Sequence, residues 1–175
     1  HQTVQPLLNQ RCVVCHGCYD APCQLKLTSP EGIERGSTQS LVFSGTRLFS
    51  AKPTRLYEDA ITTEQWRNKG FSPVLNERDQ TAQANLEASL IYQALMLKQQ
   101  HPFVDTRTHA DAFDFSLDRD QQCSAVEQYD HFAKKNPYAG MPYGLPAIAP
   151  FEQAQLTQWQ KVQEMLVLKF IVTIE

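Results

Sequence analysis

Cys12-Val13-Val14-Cys15-His16 holds the residues most able to do chemistry in this chain. Two thiols about one helical turn apart can each add to a vinyl group of one porphyrin, and the adjacent imidazole then falls beneath the iron as an axial ligand. The spacing therefore predicts covalent haem c on Cys12 and Cys15, with His16 as proximal ligand. Three other readings use the same cysteines. Cys12, Cys15, Cys18 and Cys23 run C-x2-C-x2-C-x4-C, close to the pattern that holds an iron–sulfur cluster, and four thiolates also suit structural zinc. A plain disulfide knot is the remaining one.

Haem is favoured by a second signal far downstream, Gly140-Met141-Pro142-Tyr143-Gly144-Leu145-Pro146, just before a capped helix. A lone methionine is usually core filler. A methionine in a Pro- and Gly-rich loop ahead of the last helix, in a chain that opens with CxxCH, reads as the second axial ligand, because a thioether is one of the known axial choices. Met141 is that ligand, and Tyr143, Leu145 and Ile148 are candidates for one wall of the pocket. Met96 lies in a Leu-rich run and reads as core, with a reserve role as ligand. His109 and His131 are lone histidines of the kind usually found satisfied at a surface or in a core.

The elements that must position these groups are mostly helical. Val4, Leu7 and Leu8 give an apolar face to a helix over 3–15 that leads into the CxxCH turn. Ser29-Pro30-Glu31 starts a short helix closed by Gly36. Residues 40–44 read as extended, and Thr62 or Thr63 caps a helix carrying Trp66 and ending at Gly70. Trp66 reads as core before haem wall. One long helix is predicted over 81–100 from Leu86, Leu90, Ile91, Ala94, Leu95 and Leu97, and His101-Pro102 ends it. The Asp-rich stretch 102–122 does not match a calcium loop and reads as solvated. A helix over 121–135 stops at Asn136-Pro137. The last helix begins near Pro150 or Phe151 with Leu156, Trp159, Val162 and Leu166 as its stripe, so that Val4 and Leu8 approach Leu156 and Trp159. The Val- and Ile-rich run from Met165 to Ile174 reads as a strand.

The 175 residues and 42% hydrophobic content suit a soluble globular chain with a proper core. A net charge of −3 and a pI near 6.0 give no reason to expect nucleic acid, and no run reaches the roughly 18–20 apolar residues of a membrane span. Covalent haem attachment points to the periplasm, with a leader that this sequence does not show. Five cysteines exceed what haem needs, and an oxidising compartment favours pairing two of Cys18, Cys23 and Cys123. Cys18 with Cys23 is the local choice, and either with Cys123 ties distant segments together; the spacing does not choose. No residue stands out as a general base or nucleophile, and Asp20, Glu31 and Glu34 read as solvent charges or caps.

CxxCH near the start and Met-Pro-x-Gly before the final helix resemble a class I cytochrome c. The segments Cys12-Val-Val-Cys-His-Gly-Cys-Tyr-Asp-Ala-Pro-Cys-Gln-Leu-Lys-Leu27, Glu31-Gly-Ile-Glu-Arg-Gly36 and Lys134-Lys-Asn-Pro-Tyr-Ala-Gly-Met-Pro-Tyr-Gly-Leu-Pro146 are similar to the haem-bearing N-terminal part of bacterial fatty acid cis/trans isomerases, over about residues 5–160. The resemblance implies a mainly α, class I cytochrome c-like domain over 1–164. A long insertion at about 37–120 would separate the haem motif from the distal loop, and residues 165–175 would form an apolar tail that is truncated or foreign to the native protein.

The family is periplasmic, longer than this chain, and converts cis double bonds of unsaturated fatty acids to trans as part of a membrane stress response. For this chain the resemblance implies a substrate among unsaturated fatty acids or membrane-derived acyl chains. The catalytic centre would be the haem iron held by Cys12, Cys15, His16 and Met141. The implied mechanism is a transient loss of π character, with electron density drawn toward ferric haem and returned after rotation, so that no net redox change is needed. If His16 and Met141 both bind, either Met141 leaves or the electron moves through the haem edge. The competing function is electron transfer by a six-coordinate periplasmic cytochrome with a redox partner; a third is ligand sensing by a five-coordinate haem.

Overall fold

The computed structural model describes residues 4–18, 21–40, 54–76, 81–103, 113 and 123–162, and the backbone alone at 43–44, 47–48 and 163–172. Among these residues the chain is mainly α, with two small two-stranded sheets. Helix α1 (Gln5–Arg11) is shorter than the sequence suggested. The helix gives way to a turn over Cys12–Cys15, where Cys12 and Val13 N–H both fall back on the Leu8 carbonyl. Two successive β-branched valines weaken helix propagation there.

Helix α2 (Pro30–Arg35) begins where its cap predicts, with the Gly32 N–H donating to Ser29 Oγ at 3.3 Å. It ends at Gly36, whose φ of +82° suits a residue without a Cβ. A Cβ on Gly36 would lie 2.0 Å from the Ser72 carbonyl oxygen, so the glycine also lets β1 (Ser37–Thr38) pair antiparallel with β4 (Phe71–Ser72). A second pair joins β2 (Phe43–Ser44), within the stretch 40–44 read as extended, to β3 (Arg47–Leu48), beyond it. Thr62 and Gln65 form a reciprocal capping box at α3 (Thr63–Asn68).

The predicted single helix over 81–100 is two: α4 (Ala82–Ala88) and α5 (Leu90–Gln100). Ser89, extended at ψ 135°, ends one and caps the next by accepting from the Tyr92 N–H at 3.3 Å. A 3-10 turn (Val126–Gln128) precedes α6 (Tyr129–Lys135), which therefore starts later than expected. The last helix, α7, runs Pro150–Val172. This corrects the strand read at the Val- and Ile-rich tail: extending an established helix adds a hydrogen bond per residue, whereas a strand needs a partner. No helix among the described residues is long and apolar enough to cross a membrane.

The main core joins Val4, just before α1, and Leu7 and Leu8 of α1 to Leu156 and Trp159 of α7, as the sequence predicted. Leu27, Ile33, Val74, Leu95 and Ile148 complete it, and α4 lies along α7. Val74 and Leu95, inside the stretch read as an insertion, thus belong to the same core as the first and last helices. Trp66 sits elsewhere, in a small cluster with Ala60 and Phe71, its ring 5.3 Å from Phe71 in an edge-on arrangement. A disulfide joins Cys23 to Cys123, 100 residues apart.

Lys98 on α5 is 1% exposed. Its Nζ has no hydrogen-bond partner among the described residues and lies 4.0 Å from the centre of the Phe103 ring. Burial lowers its pKa from 10.5 to about 8, which corresponds to about 3 kcal/mol against the charged form, including whatever the ring offsets. The unfolded chain binds the extra proton between pH 8 and 10.5, so wild-type stability rises with pH across that window. Lys98→Met is expected to be more stable by about 2 kcal/mol at pH 7, measured by denaturant unfolding. That advantage shrinks as pH rises from 8 to 10.5.

Candidate functional site

The turn after α1 gathers three of the predicted site residues. The Cys15 and His16 N–H groups donate to the Cys12 carbonyl at 3.1 and 2.9 Å, which stacks Cys12, Cys15 and His16 on one turn. His16 is 8% exposed and is fixed at both ends. Its carbonyl accepts the Leu27 N–H at 2.9 Å, and Nδ1 lies 3.2 Å from the Leu25 carbonyl oxygen. A carbonyl can only accept, so the proton is on Nδ1, and in the neutral ring Nε2 carries the lone pair. Burial lowers the His16 pKa, with the Leu25 bond opposing it only in part. A neutral imidazole with Nδ1–H on a backbone carbonyl is what an iron ligand requires.

Cys12 packs half-buried against the main core. Burial, then the neighbouring Cys15, push its pKa up to about 11, with Arg11 opposing, so at neutral pH it is a thiol. Cys12, Cys15 and Cys18 are free, whereas Cys23 is bonded to Cys123. The four-thiolate alternative therefore loses its last member to the disulfide, and the local Cys18–Cys23 pairing is excluded by the same bond. Among the described residues no group of three or more His, Cys, Asp or Glu side chains is placed to hold a metal ion. Cys12, Cys15 and His16 stand together on the turn that follows α1.

Met141 comes from a different part of the chain and is held by α5. Its N–H donates to the Ala94 carbonyl at 2.9 Å, and its peptide bond to Pro142 is cis. Further along the loop, Gln99 Nε2 donates to the Ile148 carbonyl at 2.9 Å. Gly140 lies flat on α5: a Cβ there would come within 2.3 Å of the Lys98 backbone nitrogen. Gly140→Ala is expected to cost about 1–3 kcal/mol and to release the Met141 N–H, read by thermal unfolding together with amide exchange at Met141. Of the residues expected to wall a pocket, Ile148 is in the main core and Leu145 is exposed. Tyr143 packs on Phe113 with ring centres 4.7 Å apart. Met96 is half-buried on α5 and His131 is exposed, while His109 and Leu166 lie outside the residues with described side chains.

One functional contact escaped the sequence. Arg11, immediately before Cys12, makes a two-point ion pair with Glu152, Nε to Oε1 and Nη2 to Oε2, both at 3.1 Å. Glu152 Oε2 also accepts the Ala149 N–H at 2.7 Å. Although its burial raises the Glu152 pKa, the Arg11 guanidinium and the Ala149 N–H together hold it below the usual carboxylate value. The pair ties the start of α7 to the end of α1, beside the CxxCH turn. Pro150 followed by Glu152 was the available signal, a proline at the first helical position with a glutamate reaching back two residues later.

A family model for fatty acid cis/trans isomerase (CTI) matches residues 51–164. The chain belongs to the fatty acid cis/trans isomerase family. Met141 and its loop, α3 to α6 and the start of α7 lie within the matched stretch, and Cys12, Cys15 and His16 lie before it. The family assignment makes the chain part of an isomerase acting on fatty acids. No curated protein and no solved structure matches the chain.

Proposed function

We propose that this chain is the haem c-bearing part of a periplasmic fatty acid cis/trans isomerase, built on a class I cytochrome c-like plan. Cys12 and Cys15 are the covalent anchors, His16 the proximal ligand and Met141 the distal one. The observation that carries the reading is the His16 imidazole within CxxCH, buried and held through Nδ1 on the Leu25 carbonyl, so that in the neutral ring Nε2 carries the lone pair. The Cys23–Cys123 disulfide supports an exported, oxidising location.

Bound at this turn, a ferric haem would supply an electron-accepting centre that lowers the π-bond order of a nearby cis double bond, permitting rotation with no net redox change. The protein's part is positional. His16 presents Nε2, the Leu25 carbonyl fixes the plane of the ring, and the Arg11–Glu152 pair secures the turn that carries both thiols. The Ala94 carbonyl and the Gly140 contact hold the Met141 loop on α5. So firmly tied a loop favours a second reading, electron transfer by a six-coordinate cytochrome, because a fixed thioether leaves no open position for substrate.

Absorption spectra of the protein produced with haem-maturation machinery separate these. Loss of the Met-to-ferric charge-transfer band in Met141→Ala, with carbon monoxide excluded from the wild type, would establish His16/Met141 ligation and favour electron transfer or isomerisation at the haem edge. Carbon monoxide binding readily to the wild type would remove Met141 as a ligand and favour contact between substrate and iron. A protein that takes up no haem would sink the proposal.

A further inference from the structure

We propose that Arg35 is a positioning residue for the His16 imidazole, acting through the Gln24 backbone and the Leu25 carbonyl. The inference rests on the haem reading above. Arg35 is 1% exposed, and its guanidinium divides between two pieces of backbone. Nη2 donates to the Gln24 carbonyl, and Nη1 donates to the Thr54 carbonyl at 2.6 Å. Thr54 Oγ1 donates in turn to Gln24 Oε1, so both the main chain and the side chain of Gln24 are gripped. The cation is enclosed by the Phe71 and Trp66 rings, 5.2 and 5.7 Å from their centres.

What this grip holds is an unfavourable backbone. Cys23 and Gln24 have φ of +58° and +49°, two consecutive left-handed residues that are not glycine, a conformation that persists only when its surroundings enforce it. The Gln24 carbonyl held by Arg35 belongs to the same rigid peptide plane as the Leu25 nitrogen. The next carbonyl along is the one His16 Nδ1 meets at 3.2 Å, and two residues on, the Leu27 N–H meets the His16 carbonyl. A role in packing alone would not need a fork divided between the Gln24 and Thr54 carbonyls. Thr54, Trp66 and Phe71 all lie in the stretch that matches the isomerase family. Arg35 thereby makes the geometry of the His16 turn depend on that stretch.

The chemical consequence is on Nε2. A histidine that donates Nδ1–H to a well-placed carbonyl is a more basic ligand, and loss of such an outer contact costs about 10–100-fold at a metal site. A weaker donor stabilises ferric iron less, so the reduction potential rises when the grip is released.

The test uses the haem-loaded chain and Arg35→Lys, Arg35→Met and Thr54→Val. The expected result is unchanged covalent haem content with a potential raised in Arg35→Met by about tenfold in the ferric/ferrous equilibrium, 59 mV for one electron. Smaller shifts of the same sign are expected in Arg35→Lys, which cannot fork, and in Thr54→Val. Nitrogen-15 spectra of the haem-free chain provide the second readout: the wild type holds His16 as the Nδ1–H tautomer, and the variants show a mixture. An unaltered potential and tautomer in variants whose melting temperature falls would overturn the proposal and leave Arg35 a packing residue. If Arg35→Met does not fold, Thr54→Val and Arg35→Lys carry the test. If the wild type takes up no haem, the haem reading fails on its own, and the tautomer measurement still decides the role of Arg35.

Discussion

With haem bound as proposed, His16→Ala is expected to reduce isomerisation to background, a loss of at least a hundredfold, while Cys12 and Cys15 can still form their thioether bonds. On the proposed haem ligation, removing the proximal ligand should exceed the 10–100-fold typical of groups one shell further out. The spectrum should change from low-spin to high-spin, and millimolar imidazole should partly restore it by filling the space left by the ring. Stability falls too. The Leu25 carbonyl loses its donor and a buried ring is deleted, together about 2–3 kcal/mol. Because imidazole rescue reports ligation while denaturant unfolding reports packing, the two effects separate. An unaltered spectrum and rate in His16→Ala would remove this residue from the site altogether.

The second large effect is on stability. A Cys23→Ser/Cys123→Ser double variant is expected to lose about 4–5 kcal/mol, because the crosslink spans 100 residues and withdraws a correspondingly large number of conformations from the unfolded chain. Against a total of about 5–15 kcal/mol for an ordinary domain, that is enough to bring the midpoint close to working temperature. The double variant is preferable to Cys123→Ser alone, which would leave Cys23 free to pair with the exposed Cys18. Guanidinium unfolding of the oxidised wild type and the variant measures the difference, and equal midpoints would mean that the unfolded chain is already restricted without the bond.

Local signals in the sequence located the elements well where a cap or breaker has a single mechanical meaning. Ser29 and Pro30, Thr62, Gly36, Asn136-Pro137 and Pro150 each start or stop a helix as read. The apolar spacing also placed Leu8 against Trp159. What was not legible is what depends on distant partners. Ser89 breaks a helix in the middle of an unbroken apolar pattern because its hydroxyl can cap the second half as well as the backbone can continue the first. The choice of Cys123 as the partner of Cys23 has no counterpart in local spacing, since cysteine positions alone do not specify connectivity. Arg35 and Lys98 look like surface charges by residue type and are both buried, one with a carbonyl partner for each end of its fork and the other over an aromatic ring. At the site, CxxCH and the Met141 loop were visible as motifs. The contacts that orient them, the Leu25 carbonyl and Glu152, come from residues whose types carry no such message.

The crosslink also changes the shortest covalent path between the two proposed iron ligands. Along the backbone, His16 and Met141 are 125 positions apart. His16 lies 7 residues before Cys23 and Met141 lies 18 after Cys123, so through the sulfur bridge the path is about 25. For a flexible chain that fivefold shortening lowers the entropic cost of bringing the two together by about 1.4 kcal/mol, roughly a tenfold gain in encounter probability. Oxidation of Cys23 and Cys123 before a haem iron acquired its proposed second ligand would therefore favour Met141 over Met96, whose path through the bridge is about 34, and the order of these two events would become part of how the centre is assembled.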